Sequence, residues 1–178
     1  MDLTKSLDRG LVLLGCGKMG SAMLAGWLAR GLSPQKVWVI DPNPSNWVME
    51  QGVHVNASLP PAPAIVLVAV KPQMMGAALP TLQAFGNGNT VFLSIAAGTP
   101  IAAFENVLGS KTPIIRAMPN TPAAIGRGIS AMIGNALVDD ATLNLAEQLL
   151  SAIGKVVRLD VETQMDAVTG VSGSGPAY

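Results

Sequence analysis

Short, unbroken apolar runs alternate along this chain with longer stretches whose apolar residues recur at helical spacing. The runs at 11–14, 37–40, 64–70, 90–95, 114–117, 129–133 and 155–159 predict strands, with a minor strand at 53–55. Helical spacing predicts helices over 21–30, stopped at Gly31, and over 73–85, opened by Pro72. Further helices are expected after Thr99-Pro100 with Thr99 as cap, from Asp139/Asp140 through Ala152, and over 162–170. Asn43 or Ser45 caps a short helix ending near Gln51. The prolines of Met118-Pro119-Asn120-Thr121-Pro122 argue against regular structure there. Strands alternating with helices predict an α/β fold, a doubly wound and mostly parallel sheet with helices on both faces. The strands joined through residues 126–128 are candidates for an antiparallel pair.

Composition sharpens this picture. Only 12% of the 178 residues are charged, against a typical figure of about 25%, and 49% are hydrophobic. Strands covered on both faces need such continuous apolar runs. A surface meant for a partner is a second source of the same surplus. Lys+Arg and Asp+Glu are 11 each, so the basic excess of a nucleic-acid binder is missing and no nucleic-acid partner is expected. The longest apolar runs fall far short of the roughly 20 residues of a membrane span. The first 14 residues lack the layout of a signal peptide, so a cytoplasmic, membrane-free protein is expected. One cysteine excludes an intramolecular disulfide framework, and one cysteine with one histidine argues against a metal cage.

The chemistry begins at Gly15-Cys16-Gly17-Lys18-Met19-Gly20. This G-x-G-x-x-G string follows an expected strand and opens an expected helix, the context in which it binds a dinucleotide. The first glycine permits the tight turn, the second lets backbone approach a pyrophosphate, and the third allows close helix–strand packing. The alternative is a tight turn with no ligand.

Asp41 ends the second expected strand, 21 residues beyond Gly20, close to the usual spacing of a ribose-binding acid. Its carboxylate would accept from a ribose diol and repel a 2′-phosphate, and no Lys or Arg lies between Asp41 and Glu50 to offset it. Taken alone this favours NAD. An Asx-turn within Asp41-Pro42-Asn43-Pro44 is the competing role, and both stay open.

In open α/β sheets ligands bind beyond the carboxyl ends of the strands. The segments 15–20, 71–73, 96–98 and 118–122 converge there. Lys71 is then a cofactor ligand or a solvated lysine at a helix start. Asn120 and Thr121 orient a nicotinamide or substrate, or Asn120 merely caps a rigid turn. Arg116 pairs with a carboxylate or flanks its strand. Cys16 fills a small position and lacks a base for nucleophilic work. His54 sits on an edge strand or loop. Met19 and Met118 fall in the same set of loops.

Four further strings complete the pattern: Val68-Ala69-Val70-Lys71-Pro72, Ser94-Ile95-Ala96-Ala97-Gly98, Ile115-Arg116-Ala117-Met118-Pro119-Asn120-Thr121-Pro122, and residues 166–178 ending Ser172-Gly173-Ser174-Gly175-Pro176-Ala177-Tyr178. With the glycine loop, they closely resemble the pyrroline-5-carboxylate reductases, which complete proline synthesis. The resemblance covers nearly the whole chain. It implies a Rossmann domain, here 1–160, followed by a helical substrate and dimerisation domain of which 161–178 would be the truncated start. It implies hydride transfer from NADPH or NADH to the C=N carbon of 1-pyrroline-5-carboxylate, giving L-proline, in a homo-oligomer when complete. By matching strings, Gly15, Cys16, Gly17, Lys18, Met19 and Gly20 would hold the pyrophosphate. Asp41, Asn56, Val70, Lys71, Pro72, Ala96, Ala97, Gly98, Asn120 and Thr121 would line the cofactor. Ser172, Gly173, Ser174 and Gly175 would lie by the substrate carboxylate. No catalytic acid or base is singled out, since a protonated imine is already an electrophile. The rivals are a non-catalytic NAD(P)-binding fragment and another imine or hydroxy-acid reductase of related fold.

Overall fold

The structure is a computed structural model that describes residues 2–171. Eight strands form one sheet: β1 (Leu11–Leu14), β2 (Val37–Ile40), β3 (His54–Val55), β4 (Ile65–Val68), β5 (Val91–Ser94), β6 (Ile114–Met118), β7 (Gly128–Gly134) and β8 (Gly154–Arg158). Their order is β3-β2-β1-β4-β5-β6-β7-β8. All pairs are parallel except β6 with β7, so the turn through 126–128 does reverse the chain. The chain first moves outward from β1 through β2 to β3, then returns to the other side of β1 as β4. That reversal is a topological switch point, where such sheets bind ligands.

The buried strands sort by position. Leu11, Leu13, Ile65, Leu67, Leu93 and Ile115 enter one core, beneath α2 (Lys18–Ala29) and α6 (Asp140–Leu150). Val12, Leu14, Val66, Val68, Phe92 and Ile114 enter the other, with Leu79, Leu82 and α5 (Ile101–Leu108). Alternate residues of a strand face opposite ways, and here both faces are covered. The low charge of the chain follows from this two-sided burial. Trp27 ties the helices of the first core together, its indole N–H donating to the Leu149 carbonyl at 2.9 Å.

The described residues also hold four further helices: α1 (Leu3–Ser6), α3 (Asn46–Met49), α4 (Pro72–Ala78) and α7 (Gln164–Val171). Ser45, not Asn43, caps α3 through Val48 N–H. Four expectations need correction. The helix after the glycine loop starts at Lys18, not at residue 21, because the glycine loop itself makes the first turn. The helix expected over 73–85 is broken: α4 ends at Ala78 and a 3-10 segment runs from Leu79 to Phe85. Pro80 has no N–H to give and crowds the preceding turn. Thr99 is not a cap; Pro100 occupies the cap position of α5 without a side-chain hydrogen bond. The proline-rich stretch does carry regular structure, since β6 runs to Met118 and a 3-10 turn spans Thr121–Ile125 with Pro122 in its first turn.

Candidate functional site

The loops expected to converge do so at the carboxyl ends of β1, β4, β5 and β6. Two clefts lie there. One, of about 630 Å³, is lined by Gly15, Cys16, Gly17, Asp41, Pro42, Asn43, Val70, Lys71 and Met74 among others. The second, of about 310 Å³, is lined by Met19, Val70, Lys71, Pro72, Ala96, Ala97, Asn120 and Thr121 among others. Ala69, Val70 and Lys71 border both, so the two form one trough across the switch point.

The three loop glycines differ in what demands them. Gly15 has φ +87°, and a Cβ there would lie 3.0 Å from the Ala69 carbonyl. A Cβ on Gly20 would lie 2.8 Å from the Gly15 carbonyl, so α2 packs directly on the turn. Gly17 is different: a Cβ there would meet nothing within 4 Å. The fold itself does not require glycine at this position, and a ligand approaching the backbone would. Gly17 is also the cap residue of α2 and offers no side-chain acceptor. The N–H groups of Lys18, Met19 and Gly20 therefore open the helix without an intrahelical partner, at its positive dipole end. This cradle fits a phosphate anion.

Asp41 closes the neighbouring wall. Its Oδ2 accepts from Cys16 N–H at 2.9 Å, and its Oδ1 accepts from Asn43 N–H at 2.8 Å. The Asx-turn is real, and the carboxylate also faces the cleft. Asn56, in the left-handed region at φ +49°, clamps the Asp41 backbone from behind. Its side-chain amide donates to Asp41 O at 2.8 Å and accepts from Asp41 N–H at 3.0 Å. Cys16 is buried, with its thiol 3.6 Å from Ser21 Oγ. Burial pushes the thiol pKa up; the Ser21 hydrogen bond offsets part of this, and the Asp41 charge adds to it. Cys16 is thus a packed thiol, not a nucleophile.

Lys71 is exposed, caps the start of α4 and lies on both clefts. Asn120 is 7% exposed. It accepts from Ile129 N–H at 2.9 Å through Oδ1, anchoring its loop on β7 and not capping the turn it precedes. Its Nδ2 makes no hydrogen bond among the described residues. Thr121 is exposed on the second cleft. Arg116 does pair with a carboxylate: Nη1 lies 3.1 Å from Glu162 Oε1, which also accepts from Ile101 N–H at 2.8 Å. Sequence reasoning missed Glu162, and no local signal marks it. His54 sits on edge strand β3, stacked on Trp38 with ring centroids 4.4 Å apart. The expected substrate loop, Ser172, Gly173, Ser174 and Gly175, lies outside the described residues. Among the described residues no helix is long and apolar enough to cross a membrane.

Comparison with known proteins gives three kinds of match. Residues 10–98 match the family described as NADP oxidoreductase, coenzyme F420-dependent. The chain is 38% identical over 174 residues to pyrroline-5-carboxylate reductase of Pseudomonas aeruginosa, covering 94% of this chain and 64% of that protein. Among solved structures, a pyrroline-5-carboxylate reductase from Coxiella burnetii superimposes with a TM-score of 0.90 at 30% identity, covering 95% of this chain and 65% of that one. A Plasmodium falciparum pyrroline carboxylate reductase solved with NADP bound gives 0.82 at 27% identity, covering 95% and 64%. The chain spans slightly less than two thirds of the length of these relatives.

Proposed function

Since the chain belongs to the family described as NADP oxidoreductase, coenzyme F420-dependent, and carries the NAD(P)-binding domain of the pyrroline-5-carboxylate reductases, we propose that it serves the NAD(P)H-dependent reduction of 1-pyrroline-5-carboxylate to L-proline. The observation that carries this reading is the Gly17 cradle over an uncapped helix, opening on the first cleft and bordering the second through Ala69, Val70 and Lys71. The loop Gly15–Gly20 holds the pyrophosphate on backbone N–H groups. Lys71 supplies a positive charge beside it. Ala96, Ala97 and Gly98, with Asn120 and Thr121, border the nicotinamide end.

Bound there, a reduced nicotinamide supplies the hydride. The work left to the protein is positioning, which can account for most of the rate when the imine arrives protonated. Asn120 is suited to such positioning, because Ile129 N–H fixes its Oδ1 and leaves Nδ2 to orient a carbonyl-bearing ring. Residues 1–160 form the nucleotide-binding unit in this reading, and 161–178 begin the substrate part. Glu162 and Met165 already pack that beginning onto the sheet side of the first unit.

Calorimetric titration with NADH and NADPH tests the reading, alongside an assay of cofactor oxidation driven by pyrroline-5-carboxylate. Gly17→Asp places a carboxylate at the cradle without a clash, so binding is lost while the fold is kept. Unchanged binding in that variant would sink the assignment. Binding by the parent chain with substrate-dependent oxidation supports the full reaction, and binding without it leaves a nucleotide-binding module.

A further inference from the structure

We propose that Glu162 is a positioning residue for the nicotinamide end of the trough, and that through it the docking of the segment entering α7 and the seating of a reduced nicotinamide reinforce each other. The proposal rests on the nucleotide reading above and adds a residue outside the trough that governs one half of it.

Two segments border the nicotinamide end in that reading, 96–98 and 118–121. Both lead from the second cleft to a neighbouring pocket of about 360 Å³. The first gives Ala96 and Ala97 to the cleft and Gly98 to the pocket, while β6 gives Met118 to the cleft and Arg116 to the pocket. Glu162 lines the pocket and not the cleft. Each segment is held at one end by a tie of its own. Ala96 N–H donates to Ser94 Oγ at 3.1 Å, and Ile129 N–H donates to Asn120 Oδ1 at 2.9 Å. The opposite ends both run to Glu162. Its Oε1 accepts from Ile101 N–H at 2.8 Å, just past the first segment, and from Arg116 Nη1 at 3.1 Å, just before the second.

Both donors need this carboxylate. α5 opens at Ile101 with Pro100 in the cap position and no side-chain cap, so its first N–H has no acceptor on its own element. Arg116 is buried and its guanidinium stays charged, and Glu162 is its one ion-pair partner among the described residues. A single oxygen serving both donors fixes the two segments relative to each other. Glu162 stands two residues before α7, and Met165, which is buried, anchors the same stretch. The outer side of α7, with Asp166, Ala167, Gly170 and Val171, is exposed. The tie therefore exists only while this segment is docked. Docking sets the two walls of the nicotinamide end, and a ring held between those walls opposes undocking. Such coupling is reciprocal: docking favours the nicotinamide by the same factor as the nicotinamide favours docking. The adenosine end shares none of these bonds, since its ties join residues 16–56.

The test is calorimetric titration of the whole 178-residue chain with NADH and with ADP-ribose, which carries every part of the dinucleotide except the nicotinamide. Glu162→Ala is expected to weaken NADH binding about fivefold and to leave ADP-ribose binding unchanged. Glu162→Gln keeps an acceptor for Ile101 N–H and recovers part of the loss. A loss of stability alone moves both ligands together or neither, so the split between them separates positioning from a purely structural role. Hydrogen exchange reads the same coupling from the other side in the parent chain. NADH is expected to slow exchange of the Ile101 N–H by a similar factor, and ADP-ribose is not. This measurement needs no variant, so it decides even where Glu162→Ala fails to fold. An unchanged ratio of NADH to ADP-ribose affinity in the folded Glu162 variants, or equal protection of Ile101 by the two ligands, overturns the proposal and leaves the nucleotide reading intact. Failure of the parent chain to bind either ligand overturns that reading as well.

Discussion

The two ends of the trough are built differently. At the adenosine end, every tie joins residues between Gly15 and Asn56: Cys16 to Asp41, Asp41 to Asn43, and Asn56 to Asp41. At the nicotinamide end, the ties reach across the fold. Asn120 leans on β7, and in a neighbouring pocket Glu162 bridges to Ile101 and Arg116 over separations of 61 and 46 residues. One carboxylate oxygen thus joins the start of α5, the strand leading into Met118–Thr121, and the segment entering α7. The side-chain hydrogen bonds of the first end stay within its own βαβ unit, although β4 and α4 supply its far wall. The second depends on where the later chain docks. On the proposed reading, nucleotide grip is therefore local, and reaction geometry is shared with distant elements.

The sharpest break in this comparison lies inside the glycine loop. Gly20→Val drives a side chain into the Gly15 carbonyl, which the fold cannot move without opening β1 from α2. A loss of about 3 kcal/mol or more is expected in urea unfolding. Gly17→Ala meets open space and is expected to cost less than about 1 kcal/mol, while weakening nucleotide binding. Equal destabilisation by the two would mean that the loop glycines all serve packing, and the ligand argument would lose its basis.

Next in size is the distant tie. Glu162→Ala leaves Arg116, whose side chain is 7% exposed in the parent, without its counter-charge, and removes the acceptor from Ile101 N–H. Breaking a buried pair costs about 3–5 kcal/mol, and the one-third exposure of Glu162 brings the expectation to about 1–3. Glu162→Gln keeps an acceptor for Ile101 and loses less. AMP affinity stays constant in both variants if the adenosine end is autonomous. A parallel fall in AMP affinity would erase the distinction between the two ends.

This same contrast explains how much was legible beforehand. The adenosine end could be read because its residues are close in sequence and its geometry is carried by glycines at fixed offsets. The strands were legible because two-sided burial writes them as apolar runs. Asp41 showed two competing roles, and the structure gives its oxygens to the Asx-turn and to the glycine loop, a combination that spacing alone does not reveal. Glu162 was invisible for the opposite reason: a lone acid at a helix start looks solvated until the partner 46 residues away is placed. Pro80 lies inside the helix expected over 73–85, and its missing N–H breaks the helix where the spacing of the apolar residues alone would carry it on.

Asn120→Ala sharpens the nicotinamide end more gently. It orphans Ile129 N–H at the start of β7, an expected loss of about 1–2 kcal/mol. If Asn120 only braces its loop, Asn120→Asp restores the acceptor and both stability and NADH binding recover. If its Nδ2 also meets the nicotinamide, stability recovers and NADH binding does not, whereas AMP binding is untouched throughout.

The smallest effect concerns Cys16, the one loop residue whose side chain turns inward. Burial raises its thiol pKa above the ordinary 9.0, the Ser21 hydrogen bond pulls the other way, and the Asp41 charge raises it further. The folded protein therefore holds the proton at a pH where the unfolded chain has released it. Stability from this source is fully present below about pH 9 and is lost as pH rises through the folded value. Cys16→Ala removes that slope, so the unfolding free energies of parent and variant draw together as pH rises above about 9. Parallel curves would show that the thiol is not desolvated. A bound pyrophosphate adds negative charge over the same loop, so nucleotide should slow the reaction of Cys16 with a thiol reagent further. Adenosine, which brings no phosphate, should slow it less. The pair of ligands thus reads the adenosine end from the inside, through a side chain that touches neither.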